Sequence, residues 1–387
     1  RRGALMLSLS CEHPDLEEFI EIKSDLDRVT KANISIRITD KFMVAVKNRT
    51  SFTLSFTRLE TGEKITKEVD AYTIFHKLCE MNWDYAEPGM LFWDRINNWN
   101  LLSCDDDFEY AGTNPCAEEP LPAGGSCLLG SINLSEFVCD TGFNFDDFKY
   151  CVKESVIALN EVLDEGLPLH PLKEQRESVY DWRQIGLGIF GLADLLIKLG
   201  IKYGSPEAID LCDMIGHTMA DMAIKTSAIL SKEHDEPYPK YKPEAIEQSA
   251  FYSKNALGET KELVSSFGLR NSQLLTIAPT GSLSTMLGVS GGIEPIFANY
   301  YTRKTESLKG HDEYYKVYTP IVKKYMDEHG LKDDSELPDY FVTAQTLDYK
   351  NRIYMQSIWQ SHIDASISST VNVPNDFTVE QVENLYM

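Results

Sequence analysis

The chain has 387 residues, 43% of them hydrophobic, and carries a formal charge of −23 with a pI of about 4.7. That length can bury a sizeable core, and the acidity excludes recognition of nucleic acid or an anionic membrane through a general basic surface. No apolar run approaches the roughly 18 residues of a membrane span, and Arg1-Arg2 lacks the apolar stretch of a signal peptide, so the cytoplasm is the expected location.

The elements follow in chain order. Pro14 opens a short amphipathic helix carrying Leu16, Phe19 and Ile20. Residues 24–32 are polar and predict a loop; Ile34, Ile36 and Ile38 then alternate as a strand, and Thr39 caps a helix through Phe42, Met43 and Val46. Residues 51–70 predict a hairpin, 71–83 a helix, and 90–93 a buried strand after the Pro88-Gly89 turn. Residues 131–138 predict a strand, 143–165 a helix, 170–183 a polar connection, 206–232 a long amphipathic helix and 233–254 a charged surface insertion. Residues 274–278 are β-rich, 297–303 predict a strand, 311–329 and 349–363 helices, 366–373 a last strand, and 379 onward a helix. This alternation defines an α/β fold with a largely parallel sheet.

The cysteines are Cys11, Cys79, Cys104, Cys116, Cys127, Cys139, Cys151 and Cys212. They are too sparse for a disulfide scaffold, and the absence of a C-x-x-C pair leaves a metal centre without support. Cys79, Cys151 and Cys212 fall in helical patterns, as small buried hydrophobes.

Three stretches could carry chemistry. Asn114-Pro115-Cys116-Ala117-Glu118 puts a carboxamide, a thiol and a carboxylate within five positions, and Pro115 disfavours helix there, which predicts a buried loop. Taken singly, Glu118 reads better as a salt-bridged surface acid and Cys127 as a core thiol. Gly186-Leu187-Gly188-Ile189-Phe190-Gly191 matches G-x-G-x-x-G, but the polar residues 180–184 stand where a dinucleotide-binding turn needs an apolar strand, so close packing against small residues is the better reading. Pro279-Thr280-Gly281-Ser282-Leu283 is a strand-to-helix turn rich in hydroxyls and free N–H groups, and reads either as a capped turn or as a phosphate cradle.

The segment 114–121, together with Gly124-Gly125-Ser126-Cys127-Leu128-Leu129-Gly130-Ser131-Ile132-Asn133-Leu134, closely resembles the catalytic loop of ribonucleotide reductase large subunits. Further blocks fall in that family's order: Arg1-Arg2-Gly3-Ala4, His13-Pro14-Asp15, Asn33-Ile34-Ser35-Ile36, Glu87-Pro88-Gly89, Pro279-Thr280-Gly281-Ser282, Gly292-Ile293-Glu294-Pro295 and Ser369-Thr370-Val371-Asn372-Val373-Pro374. The resemblance covers essentially the whole chain. It implies one catalytic domain over residues 1–387, incomplete at both ends and without a second domain, forming part of a ten-stranded α/β barrel around a central catalytic finger.

The resemblance also implies roles. Cys116 would form a thiyl radical that takes the ribose 3′-hydrogen, Glu118 would act as general base on the 3′-hydroxyl, and Asn114 would hold the ribose hydroxyls. Cys127 would supply one of two reducing equivalents. Its partner cysteine precedes Arg1 in the family, and the surroundings of Cys11 do not match that partner. Pro279, Thr280, Gly281, Ser282, Leu283 and Ser126 would bind substrate, while Ser24, Asp25, Arg28, Lys31 and Asn33 belong to a loop between substrate and an allosteric site for a nucleotide effector (dNTP or ATP). The wording of residues 13–20 and 369–376 is most similar to the adenosylcobalamin-dependent class II. The alternatives are a class I subunit served by a separate radical-generating subunit, an inactive or regulatory half of a split reductase and, from the glycine run, an NAD-dependent oxidoreductase. Implied partners are a ribonucleotide, the missing N-terminal segment or chain, a thioredoxin-like reductant and a second copy of the full enzyme; nucleic acid and membrane are not among them.

Overall fold

Strand Ala32–Ile38 is the centre of a three-stranded parallel sheet, paired with Leu5–Ser10 on one side and with Gly89–Phe92 on the other. A computed structural model describes residues 3–306 and 312–387 of the chain; Arg1, Arg2 and the first residue of the helix expected over 311–329 lie outside them. Ile34, Ile36 and Ile38 fill one buried face of the central strand; on the other face Ser35 is buried against Gly89, while Asn33 is exposed and Arg37 partly buried. Thr39 caps helix Asp40–Asn48 by accepting from Phe42 N at 3.2 Å. Hairpin Ser51–Thr57/Lys64–Asp70, helix Ala71–Tyr85 and the last helix, Val379–Tyr386, close a side cluster around Phe42, Phe52, Leu54, Phe75 and Val382.

A second parallel pair, Leu129–Asn133 with Gly186–Phe190, lies in the larger core. Single parallel bridges extend it, from Leu187 to Leu275 and from Ile277 to Ile367. Helices Phe145–Gly166 and Pro206–His234 pack against it with Val152, Val156, Cys212, Ile215 and Met219. The result is a mixed α/β fold. Among the described residues its parallel strands fall into a three-stranded and a two-stranded set, not one continuous sheet.

The structure corrects several expectations. The strand expected over 131–138 ends at Asn133, whose side chain accepts from Ser135 N and starts the short 3-10 turn Leu134–Phe137. The polar connection at 170–183 contains helix Lys173–Trp182, and the surface insertion at 233–254 contains helices Pro243–Gln248 and Ala250–Asn255. That insertion buries Tyr238, Ile246, Phe251 and Tyr252; its charged residues obscured an apolar face. The helix expected over 311–329 is strand Asp312–Tyr318 followed by helix Pro320–His329, the strand pairing antiparallel with Tyr300–Glu306. The last expected strand, 366–373, makes only the bridge at Ile367. Cys151 is only partly buried, whereas Cys79 and Cys212 are buried as expected.

The glycine run forms a fully buried strand up to Phe190, and Gly191 (φ 72°) is the left-handed cap of helix Leu192–Leu199. A Cβ on Gly186 would overlap the Glu119 carboxylate, and one on Gly188 the Thr276 carbonyl oxygen. The glycines therefore serve close approach between segments of the core.

Candidate active site

Segments Gly112–Thr113 and Pro120–Leu121 pair antiparallel and carry residues 114–119 at their tip. The tip is closed by its own asparagine: Asn114 N donates to Glu119 O at 3.1 Å, while Asn114 Oδ1 accepts from Glu119 N at 3.0 Å. Ala117, at φ 68°, lets the chain reverse, and its N–H donates to Asn114 O. This geometry leaves Cys116 exposed at the tip and turns Glu118 and Glu119 inward, at 3% and 1% exposure.

Three distant segments hold the finger in place. Glu118 O accepts from Thr276 Oγ1 at 2.6 Å and from Ser366 N at 3.0 Å. Glu119 Oε2 accepts from Gln273 Nε2 at 2.8 Å. Pro115 O accepts from Asn33 Nδ2 at 2.9 Å. Asp364 stiffens the supporting layer by accepting from Leu274 N at 2.9 Å and Leu275 N at 2.7 Å. The Asn33 contact was implied by the resemblance only as part of a loop. Thr276, Ser366, Gln273 and Asp364 were not foreseen, and the only trace of them in the sequence is polar residues within otherwise apolar runs.

Burial dominates the electrostatics. It raises the Glu118 carboxyl above the ordinary range, against the opposing effect of the Asn114 side chain, and raises Glu119 well above it. The Cys116 thiol is raised by burial and by Glu118, and Cys127 is pushed up to about 12 by burial, then Glu119, then Glu118. Cys127 still exposes surface, so both thiols are reachable yet keep their protons at neutral pH. Such sulfurs are poor nucleophiles and suitable hydrogen-atom carriers.

A cleft of about 470 Å³ opens beneath the finger, lined by Glu118, Leu129, Gly130, Ser131 and the turn residues Ala278, Pro279, Thr280, Gly281 and Leu283. Thr280 adopts a left-handed conformation (φ 50°), and its Oγ1 accepts from Gly292 N at 3.0 Å, so the 290–292 loop sets the entry into helix Gly281–Leu287. The structure thus brings Glu118 together with four of the five expected turn residues. Ser282 and Ser126 lie outside the lining, as do Asn114, Cys116 and Cys127. Cys11 is buried in the side cluster with its sulfur against Thr39.

Of the residues expected in the effector loop, Asn33 alone is bonded to the finger. Ser24 Oγ donates to Glu21 O, Asp25 accepts from Asp27 N and Arg28 N, and the Arg28 and Lys31 side chains are exposed. Lys23 pins the base of this loop by donating to Ala32 O at 2.7 Å and pairing with Glu87 at 2.8 Å. Among the described residues no group of three or more His, Cys, Asp or Glu could hold a metal ion, and no helix is long and apolar enough to cross a membrane.

The family model for the ribonucleotide reductase barrel domain matches residues 1–387, and the chain belongs to that family. It is 32% identical, over 402 residues, to a vitamin B12-dependent ribonucleoside-diphosphate reductase of Thermoplasma acidophilum, covering 100% of this chain and 49% of the relative. A Mycobacterium tuberculosis protein of the same description is 30% identical over 404 residues, covering 100% and 54%. The chain therefore spans about half the length of these curated relatives. Among solved structures, an Actinobacillus ureae class Id ribonucleotide reductase alpha subunit superposes with a TM-score of 0.75 at 20% identity, over 100% of this chain and 68% of that one, a likeness of fold.

Proposed function

We propose that this chain is the catalytic portion of a ribonucleotide reductase, which converts ribonucleotides to 2′-deoxyribonucleotides by thiyl-radical chemistry coupled to oxidation of a dithiol. The observation that carries the reading is the shared cleft: a buried acid, Glu118, and the turn residues Pro279, Thr280, Gly281 and Leu283 line one cavity below an exposed cysteine. Cys116 takes the ribose 3′-hydrogen, and Glu118, its basicity raised by burial, accepts the 3′-hydroxyl proton. Asn114, which already closes the loop through Oδ1, offers its amide to the ribose hydroxyls. The first-turn N–H groups after Thr280 face the substrate phosphates, because a helix start leaves them without intrahelical partners. Cys127 provides one reducing equivalent.

The relatives at 32% and 30% identity are named vitamin B12-dependent, which favours class II and adenosylcobalamin. The thiol chemistry fits such a group: Cys116 keeps its proton and stands exposed, so it is the residue that would face it. Adenosylcobalamin, when bound, supplies the one-electron chemistry that a protein thiol cannot start alone. A nucleotide effector would act through the 24–33 loop, for which the Asn33 to Pro115 bond is a direct path to the finger. The ten-stranded barrel, the pairing into a homodimer, a thioredoxin-like reductant and a cytoplasmic setting belong to this proposal too. So does a requirement for the chain that the relatives carry beyond the matched half. Among the described residues strand Leu5–Ser10 pairs on one side only, with Leu5 54% exposed, which leaves an edge for further strands.

The test is deoxynucleotide formation by a full-length subunit containing these residues. Cys116→Ser and Glu118→Ala are expected to abolish it while circular dichroism stays unchanged. Turnover by Cys116→Ser would overturn the mechanism, since a serine hydroxyl is far harder to oxidise than a thiol.

A further inference from the structure

The glycine run ends in a helix that carries a buried acid. Helix Leu192–Leu199 buries Leu192, Ala193, Leu195, Leu196 and Ile197, and Asp194 among them is 2% exposed. An acid in so apolar a setting costs stability unless its oxygens are engaged, and a leucine would fill the place without that cost. What Asp194 engages is the loop at Ser290. Its Oδ2 accepts from Ser290 N at 2.7 Å, while Gly191 N donates to Ser290 O at 2.8 Å and Ala193 N to Ser290 Oγ at 3.2 Å. The N–H, the carbonyl and the hydroxyl of Ser290 are therefore all held by residues 191–194.

The loop beyond Ser290 lies directly on the turn that lines the cleft. A Cβ on Gly291 would come within 2.7 Å of Pro279 O, and Gly292 N donates to Thr280 Oγ1 at 3.0 Å. The far end of the loop is tied as well: Tyr203 Oη donates to Ile293 O at 2.6 Å, and the buried Arg352 pairs with Glu294 at 2.6 Å. Thr280 needs such support. It is β-branched and sits at φ 50°, a left-handed conformation that side chains of this shape rarely adopt and that persists only where the surroundings impose it.

We propose that Asp194 is a positioning residue for substrate binding, which holds Thr280 in its left-handed conformation through Ser290 and Gly292. The proposal rests on the reading of Pro279, Thr280, Gly281 and Leu283 as the cleft wall that meets the substrate phosphates. Asp194 lies outside the cleft lining and acts on that wall from behind. Without its acceptor, Ser290 N is left buried and unpaired, the loop relaxes away from the turn, and Thr280 is free to leave its strained conformation. The wall that the substrate meets is then no longer formed in advance, and binding must supply the energy to form it.

The experiment measures, by titration calorimetry on a full-length subunit containing these residues, the affinities for cytidine 5′-diphosphate and for cytidine. Asp194→Leu keeps the volume and removes the acceptor, whereas Asp194→Asn keeps an acceptor for Ser290 N. Asp194→Leu is expected to weaken diphosphate binding about tenfold and cytidine binding by less than about twofold. Asp194→Asn should stay within about threefold of wild type for both. In Thr280→Val, which lacks the oxygen that Gly292 N reaches, adding Asp194→Leu should cost no more than about a further twofold. Unchanged diphosphate affinity in folded Asp194→Leu overturns the proposal. Equal weakening for both compounds also overturns it, because that is what general loosening of the core gives, and so does full additivity with Thr280→Val. Asp194→Ala is the second variant should the leucine not fold, and it is expected to act in the same direction. Wild-type protein that binds cytidine and its diphosphate equally would remove the reading of the turn, and this proposal with it; that failure is told apart from the others because it appears before any substitution is made.

Discussion

Replacing Gly188 by alanine tests most directly how the finger is supported. Gly188 lies in the buried strand Gly186–Phe190, where a Cβ would overlap the Thr276 carbonyl oxygen, with Thr276 C at 3.3 Å and Ile277 Cα at 3.4 Å behind it. These are backbone atoms and cannot swing aside like the end of a side chain, so the two segments must separate. Separation stretches the bonds that join them, Leu187 N to Leu274 O at 2.8 Å and Thr276 N to Leu187 O at 3.1 Å. Overpacking costs about 1–3 kcal/mol, and weakening two buried backbone hydrogen bonds adds about 1 kcal/mol each, for a total of about 3–5 kcal/mol. At about 2–4 °C per kcal/mol in a chain of this size, the melting temperature should fall by roughly 6–20 °C. The same movement withdraws Thr276 Oγ1 from Glu118 O, so the variant full-length subunit should also lose deoxynucleotide formation at temperatures where it is still folded. Scanning calorimetry of the chain supplies the first measurement. A melting temperature within about 2 °C of wild type would refute the close-approach argument.

Gly281, by contrast, has no atom within 4 Å of a Cβ, so Gly281→Val should change stability by less than about 1 kcal/mol. The new side chain stands on the cleft wall, and titration calorimetry on a full-length subunit should show nucleotide binding at least about tenfold weaker. Equal wild-type affinity for nucleoside and nucleotide would remove the turn as a phosphate site. Asp364, buried and pushed up to about 7, binds a proton in the folded chain that the unfolded chain releases near 3.8. Its contribution is therefore fully present below about pH 4 and is lost as pH rises through about 7, amounting to up to about 4 kcal/mol. Glu119 acts in the same direction. Denaturant melts between about pH 4 and 7 should show stability falling as pH rises, and Asp364→Asn should flatten that slope; an unchanged slope would mean that Asp364 is ionised throughout.

The parts of the fold that were legible in the sequence are those where a local period coincides with a single environment. Ile34, Ile36 and Ile38, the Thr39 cap and the long helix Pro206–His234 were readable because one buried face imposes one repeat. The helix at Lys173–Trp182 was missed because it buries little beyond Val179 and offers almost no apolar stripe. The strand through Gly186 and Gly188 was missed for the opposite reason: it is buried all round, so it has no alternation, and its glycines carry a turn signal while serving the close packing of a sheet. At Asp312–Tyr318 the tyrosines read equally as helix or strand, and pairing with Tyr300–Glu306 decided the matter.

The site divides along the same line. Residues 114–118 could be named because their chemistry is concentrated in five positions, and the loop's own hydrogen bonds keep them together. What holds that loop against the core comes from positions 33, 273, 276, 364 and 366, which are unremarkable one by one and acquire a role only when the parallel segments 186–190, 275–277 and 365–368 lie side by side. Thr276 shows why: in sequence it is one more β-branched residue in an apolar run, yet its hydroxyl meets both Glu118 O and Ser366 O, at 2.6 and 3.0 Å. The backbone of the finger is thus tied at Glu118 itself, one residue pair from the thiol at its tip. Movement of the supporting strands is therefore transmitted to Glu118 before it reaches Cys116, and, on the proposed mechanism, substitutions at these supports should first change proton transfer at Glu118 and only then access to the thiol.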